Sequence, residues 1–181
     1  MRLRRKFPRL NLQSSDFDLF GVPERFAQDR AAIDARWKDL QREAHPDKFA
    51  AQGAAAQRVA LQWSVRINEA YKRLKDPQKR AAYLCELRGA PIDAESNTAM
   101  PADFLVQQMV WREALEEATI EEELDGLRAE LEGSRDATLG RIAHLLDHSG
   151  DALAAAREVR ALMFIDRFAH DVESRFEQLG Q

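Results

Sequence analysis

The sequence predicts an all-α chain of two modules, an N-terminal helical hairpin closed by a stiff turn and a C-terminal antiparallel three-helix bundle. Three observations predict it. Apolar residues recur at three-to-four-residue spacing on both sides of His45-Pro46-Asp47: Ile33, Trp37, Leu40 and Ala44 before it, and Val59, Trp63, Ile67, Ala70, Tyr71 and Leu74 after it. A second set of helical patterns follows a polar, unpatterned stretch at Glu95-Ser96-Asn97-Thr98. The charge is also divided: residues 1–13, 14–88 and 89–181 carry net +5, +3 and −12 against −4 for the whole chain, so the two halves present different surfaces to different partners.

Taken in order, Met1 to Leu10 is basic, lacks acids and has no apolar core like that of a secretory signal, and residues 1–14 read as a solvated, disordered tail. The hairpin helices are expected at 29–45 and 54–75. Proline fixes its own φ and drives the preceding residue out of the helical region, so His45 should end the first helix and Asp47 should be held in a turn facing solvent. Asp76-Pro77 starts a short further helix, with Asp as N-cap and Pro in the first position, and Gly89-Ala90-Pro91 closes it. This places the first module at 15–90, a linker at 91–99 and the second module at 100–181.

In the second module, helices are expected from Pro101 to Thr119, Ile120 to about His148, and Asp151 to about Leu179, with a turn at Ser149-Gly150. Short turns between three helices make an antiparallel bundle. The last helix should bury Leu162, Ile165, Ala169, Val172, Phe176 and Leu179. Gly126, Gly133 and Gly140, seven apart, either permit close helix packing or mark a break near Gly133-Ser134. The helix from Pro101 is apolar on two sides. At about 100° per residue, Phe104, Trp111, Leu115 and Ala118 gather on one face, while Leu105, Val106, Met109 and Val110 gather opposite with Glu113 among them. One face suffices for a bundle, so the other should be covered by something else or lie open as a partner site.

Several function classes are disfavoured. The acidic second half would repel nucleic acid. No apolar run approaches the roughly 20 residues that cross a bilayer. A single cysteine, Cys85, excludes an internal disulfide, fits a reducing compartment and reads as a buried filler among Tyr83, Leu84 and Leu87. His144 and His148 share a helix face at zinc-binding spacing, but the geometry needs further ligands and Asp147 points elsewhere; a metal-binding protein using His144, His148 and His170 is the rival from a different class. No nucleophile–base pair or phosphate-cradling glycine loop is present, so no catalysis and no cofactor are expected.

The first module resembles the J-domain, by which co-chaperones stimulate the ATPase of DnaK-like chaperones. The likeness runs from Asp16-Phe17-Asp18-Leu19-Phe20-Gly21-Val22-Pro23 through Arg36-Trp37-Lys38-Asp39-Leu40-Gln41-Arg42 and the His-Pro-Asp loop to Ile67-Asn68-Glu69-Ala70-Tyr71 and Arg80-Ala81-Ala82-Tyr83-Leu84. It implies that His45, Pro46 and Asp47, with Arg36, Lys38, Arg42 and Lys48 around them, meet the ATPase. A carboxylate on a stiff loop suits a bidentate bond to an arginine, and basic side chains suit steering.

His45-Pro46-Asp47-Lys48-Phe49-Ala50, Phe104-Leu105-Val106-Gln107-Gln108-Met109-Val110-Trp111-Arg112-Glu113 and Val159-Arg160-Ala161-Leu162-Met163-Phe164-Ile165-Asp166 resemble one branch, the HscB-type co-chaperones of iron–sulfur cluster assembly. That resemblance implies a bundle that binds an IscU-like scaffold through Leu105, Val106, Met109, Val110, Glu113 and Phe164, and a J-domain that presents the scaffold to an HscA-like ATPase. Val110 stands where relatives often carry an acid and Val106 where some carry methionine, which makes this patch more apolar. No Cys-x-x-Cys module precedes the J-domain, as one does in some mitochondrial relatives, which favours a bacterial, cytoplasmic form. The alternative within this likeness is a general J-domain co-chaperone whose bundle binds unfolded polypeptides.

Overall fold

The fold was determined as a computed structural model and is described for residues 12–93, 95–96 and 98–179. Most of the basic stretch at 1–14 lies outside the described residues, as do two positions of the stretch at 91–99. The chain is all-α, with helices α1 (Asp16–Phe20), α2 (Arg30–Ala44), α3 (Ala54–Lys75), α4 (Pro77–Leu87), α5 (Ala102–Glu117), α6 (Glu121–His144) and α7 (Ala152–Leu179). A 3-10 turn covers Pro46–Gln52, and one π turn, Leu145–Ser149, ends α6. The chain divides into two compact units, 1–80 and 81–181, so the division falls inside α4, nearer the N-terminus than the stretch at 91–99 where the sequence shows its polar break.

In the first unit α2 and α3 form the antiparallel hairpin, and α1 packs across it. Ser15 caps α1 by accepting from Asp18 N at 3.0 Å, and Gly21, at φ 65°, ends it in the left-handed region that glycine enters freely. Phe17, Leu19, Phe20, Ile33, Leu40, Ile67 and Leu74 are buried. One position of the predicted seam is corrected. Val59 is 47% exposed, and its neighbour Ala60 is the buried residue, because Ala60, Ile67 and Leu74 form the true seven-residue repeat and Val59 sits about 100° away from it. Asp76 caps α4 through Lys79 N at 3.1 Å, as the Asp-Pro pair predicts.

Asp16 is fully buried, and its carboxylate is held by two arginines of α3. Arg73 Nε donates at 2.6 Å and Nη2 at 3.0 Å, while Arg66 Nη1 lies 2.6 Å away as an ion pair and Arg66 Nη2 donates to Ser14 O at 2.8 Å. Removing one partner of such a site leaves uncompensated buried charge. Asp16→Ala is therefore expected to destabilise the first unit by about 3–5 kcal/mol, read in denaturant melts, whereas a surface carboxylate such as Asp39 should cost under about 1 kcal/mol.

The second unit is built on the α6–α7 hairpin, with α5 laid along part of it. Phe104, Trp111, Leu124, Leu127, Leu131, Ala161, Ile165, Phe168 and Val172 form its core, with Leu115, Ala169, Phe176 and Leu179 packed at the edge. Of the predicted seam of the last helix, Leu162, Ile165 and Val172 are buried, whereas Ala169, Phe176 and Leu179 are half-buried, and Phe168, outside that seam, is buried in their place because the inner stripe runs Ala161, Ile165, Phe168 and Val172. Glu123 holds the start of α6: its Oε2 accepts from Thr119 N at 2.8 Å and Ile120 N at 3.4 Å, and those amides lower its pKa. Residues 81–100 belong to this unit through specific ties. Arg88 Nη1 donates to Leu146 O at 2.5 Å, and buried Arg160 donates to Ala99 O at 2.7 Å and Ile92 O at 2.9 Å.

Neither reading of the three glycines holds. α6 runs unbroken through them, and a Cβ on Gly126, Gly133 or Gly140 would meet nothing within 4 Å. They are exposed and conformationally costly, so each change to alanine is expected to stabilise the unit by about 0.5–1 kcal/mol in thermal or urea melts. Cys85 is fully buried, and burial pushes its thiol up to about 11 against the pull of Arg88 and Arg160. Ellman's reagent at pH 8 is expected to label it only after unfolding, since the thiolate is the reactive form.

Candidate functional site: the hairpin tip and the outer face of α5

α2 ends at Ala44, and His45 adopts φ −60°, ψ 125°, the extended geometry a following proline demands. Pro46 opens the 3-10 turn, and Phe49, buried at 6% exposure, anchors its far side in the core. Between these fixed points the Asp47 side chain is 89% exposed. Its backbone N–H donates to His45 Nδ1 at 3.4 Å, and its Oδ2 lies 3.5 Å from the same nitrogen. The imidazole thus braces the loop through its backbone, and the exposed carboxylate presents both oxygens to an incoming cation.

The hairpin beneath is held by a polar ladder that the apolar pattern does not reveal. Asn68 Oδ1 accepts from Trp37 Nε1 at 2.9 Å and from Gln41 Nε2 at 2.7 Å, and Ser64 Oγ donates to Gln41 Oε1 at 2.9 Å. The Trp37 and Tyr71 rings stack at 4.7 Å, and Tyr71 OH donates to Asp34 Oδ1 at 2.9 Å. Arg30 and then Tyr71, both hydrogen-bonded to Asp34, lower its pKa. The sequence signal for this ladder is the four-residue spacing of Trp37 and Gln41 opposite Ser64 and Asn68, polar side chains beside an apolar seam.

Of the basic residues expected around the loop, Lys38 and Lys48 are exposed and Arg36 is half-buried. Arg42 is exposed but pairs with Asp39 at 3.0 Å on its own helix. Exposed pairs of this kind are worth little, so Arg42 remains exchangeable to an incoming carboxylate.

In the second unit, α5 buries Phe104 and Trp111, and Trp111 Nε1 donates to Glu130 Oε2 at 3.2 Å. The opposite side is uncovered: Leu105 is 48% exposed, Val106 63%, Met109 71% and Val110 51%. Glu113 is exposed beside them. The structure therefore gathers five of the six predicted residues on one open face. Phe164 differs. It packs edge-on against Phe104 at 5.8 Å and stacks on Phe168 at 5.6 Å, with the Arg112 guanidinium 5.5 Å above its ring. It is half-buried at the margin of the core, and Arg112, which the sequence does not single out, covers its outer side.

His144 and His148 stack ring on ring at 5.5 Å, whereas His170 lies on α7 about 27 Å along the helix from its start. Among the described residues no three His, Cys, Asp or Glu side chains are grouped to hold a metal ion, and no helix is long and apolar enough to cross a membrane.

Comparison with known proteins agrees with both units. Residues 16–83 match the DnaJ domain family, and residues 100–173 match the family described as the HSCB C-terminal oligomerisation domain. A co-chaperone protein HscB homolog of Burkholderia multivorans is 50% identical over 173 residues, 94% of this chain and 98% of that protein. Its counterpart in Burkholderia cenocepacia is 49% identical over the same span. Among solved structures, chaperone HscB from Vibrio cholerae superposes with a TM-score of 0.79 at 33% identity, covering 92% of this chain and 99% of that one. Human co-chaperone HscB shares the fold at a TM-score of 0.85 and 22% identity, over 95% of this chain and 86% of that one. A loop-tipped hairpin followed by this bundle, matched over nearly its full length, makes the chain a member of the HscB family of J-domain co-chaperones.

Proposed function

We propose that this chain is a cytoplasmic adaptor in iron–sulfur cluster biogenesis, which binds an IscU-like scaffold protein through its bundle and delivers it to an HscA-like chaperone whose ATPase it stimulates through the J-domain. The observation that carries this reading is the coexistence, in an HscB family member, of an exposed carboxylate on a braced loop and an uncovered apolar face on α5. His45, Pro46 and Asp47 would engage the ATPase, with Asp47 bonding a guanidinium. Arg36, Lys38, Arg42 and Lys48 would steer encounter with an acidic surface, an effect on rate and orientation more than on affinity. Leu105, Val106, Met109 and Val110 would bury against the scaffold, with Glu113 fixing register by meeting a cation and Phe164 supporting the edge.

Joining both activities in one chain raises the local concentration of scaffold beside the ATPase without any new contact energy. Titration calorimetry with purified scaffold, together with steady-state ATP turnover by the chaperone, tests the reading. Scaffold binding by the wild-type chain and stimulation that rises with it support the proposal. Equal binding of unrelated unfolded polypeptides would instead support a general co-chaperone.

A further inference from the structure

α7 carries an uninterrupted four-three repeat, Ala154, Glu158, Ala161, Ile165, Phe168 and Val172. Ala161 to Val172 share the buried cluster that contains Phe104 and Trp111 of α5. Ala154 and Glu158, on the same stripe, instead line an open groove of about 650 Å³. Across it stand Ala137, Gly140 and Arg141 of α6, and Pro101, the residue before α5, lines it as well. The trough between α6 and α7 is therefore filled where α5 lies and open beyond the point where α5 begins. Its size is that of a binding cleft, and its small side chains leave room for an incoming chain.

The groove's charged groups select the occupant. Arg141 is already committed, with Nε donating to Glu158 Oε2 at 3.0 Å and Nη2 to Thr138 Oγ1 at 2.9 Å, so it neutralises the Glu158 carboxylate. Arg157, exposed on the groove wall, has no hydrogen bond or ion pair among the described residues. An unpaired guanidinium beside an apolar floor suits a carboxylate carried on a partly apolar segment. The groove also adjoins the start of the helix whose outer face bears Leu105 and Met109.

We propose that the scaffold protein is held at two places, the outer face of α5 and this groove, where a carboxylate of the scaffold meets Arg157. The inference rests on the functional reading above, and the following variants separate the two. In the full-length chain, Gly140→Leu fills the groove while favouring the helix, Arg157→Glu reverses the charge, Arg157→Lys keeps it, and Leu105→Ala with Met109→Ala reports on the α5 face. Calorimetry with the purified scaffold is expected to show Gly140→Leu and Arg157→Glu each weakening binding by about fivefold or more, with the Arg157→Glu loss shrinking at high salt, Arg157→Lys retaining most affinity, and no variant melting below the wild-type chain. Wild-type affinity in both groove variants, with loss in the α5 variant, would overturn the groove and spare the functional reading. Wild-type affinity in all of them would remove both. A groove variant that leaves scaffold affinity intact but abolishes self-association in sedimentation would assign the groove to a second copy of this chain, and would equally overturn the proposal.

Discussion

Asp47→Asn is expected to abolish stimulation of the chaperone ATPase while leaving scaffold affinity and thermal stability at wild-type levels. The substitution keeps the shape of the side chain and removes its charge. Because Asp47 is 89% exposed, nothing in the hairpin core depends on it. What would be lost is the proposed charge-assisted, two-oxygen bond to an arginine, about twice as strong as a neutral hydrogen bond and fixed in direction by the loop. His45→Ala tests the bracing role separately. It removes the imidazole that accepts from Asp47 N at 3.4 Å, and is expected to lower stimulation by loosening the loop. Single-turnover ATP hydrolysis with saturating co-chaperone distinguishes these effects from a change in binding, and normal turnover with Asp47→Asn would refute the assignment of the loop.

The second large effect is expected on the α5 face. Leu105→Ala with Phe164→Ala should weaken scaffold binding by about 2 kcal/mol or more, roughly thirtyfold in Kd, as truncation of central apolar contacts does. The structure divides this loss. Leu105 is half-exposed, so its loss would be felt at the proposed interface, whereas Phe164 packs on Phe104 and Phe168, so its truncation would also loosen the bundle. Met109→Ala, at 71% exposure, touches no core packing and is expected to lower affinity with no change in the melting temperature. Unchanged calorimetric affinity in both variants would remove the α5 face from the binding surface.

Much of the hairpin is legible in the chain because few physical rules govern it. Pro46 dictates the end of α2 and the exposure of Asp47, and Asp76-Pro77 dictates the start of α4. The two apolar faces of α5 follow from helical periodicity, and the inner one, Phe104 and Trp111, is buried as the pattern requires. Where the structure departs from the sequence pattern, the register of the repeat and the contacts across faces decide. Val59 and Ala60 are adjacent, and the larger residue attracts attention although the repeat runs through the smaller one. The three glycines of α6 suggest close packing only if another helix crosses there, and none does. The ladder of Trp37, Gln41, Ser64 and Asn68, the burial of Asp16 between two arginines, and the Arg112–Phe164 contact all join residues distant in sequence. They depend on which faces meet, which periodicity alone does not determine.

The two proposed binding sites are tested together by ATP turnover of the chaperone, measured against scaffold concentration at fixed co-chaperone. The wild-type chain is predicted to stimulate synergistically with scaffold. Met109→Asp should keep the stimulation seen without scaffold and lose the synergy, and Asp47→Asn should lose both. Full synergy in Met109→Asp, or scaffold-dependent stimulation surviving in Asp47→Asn, would contradict the account.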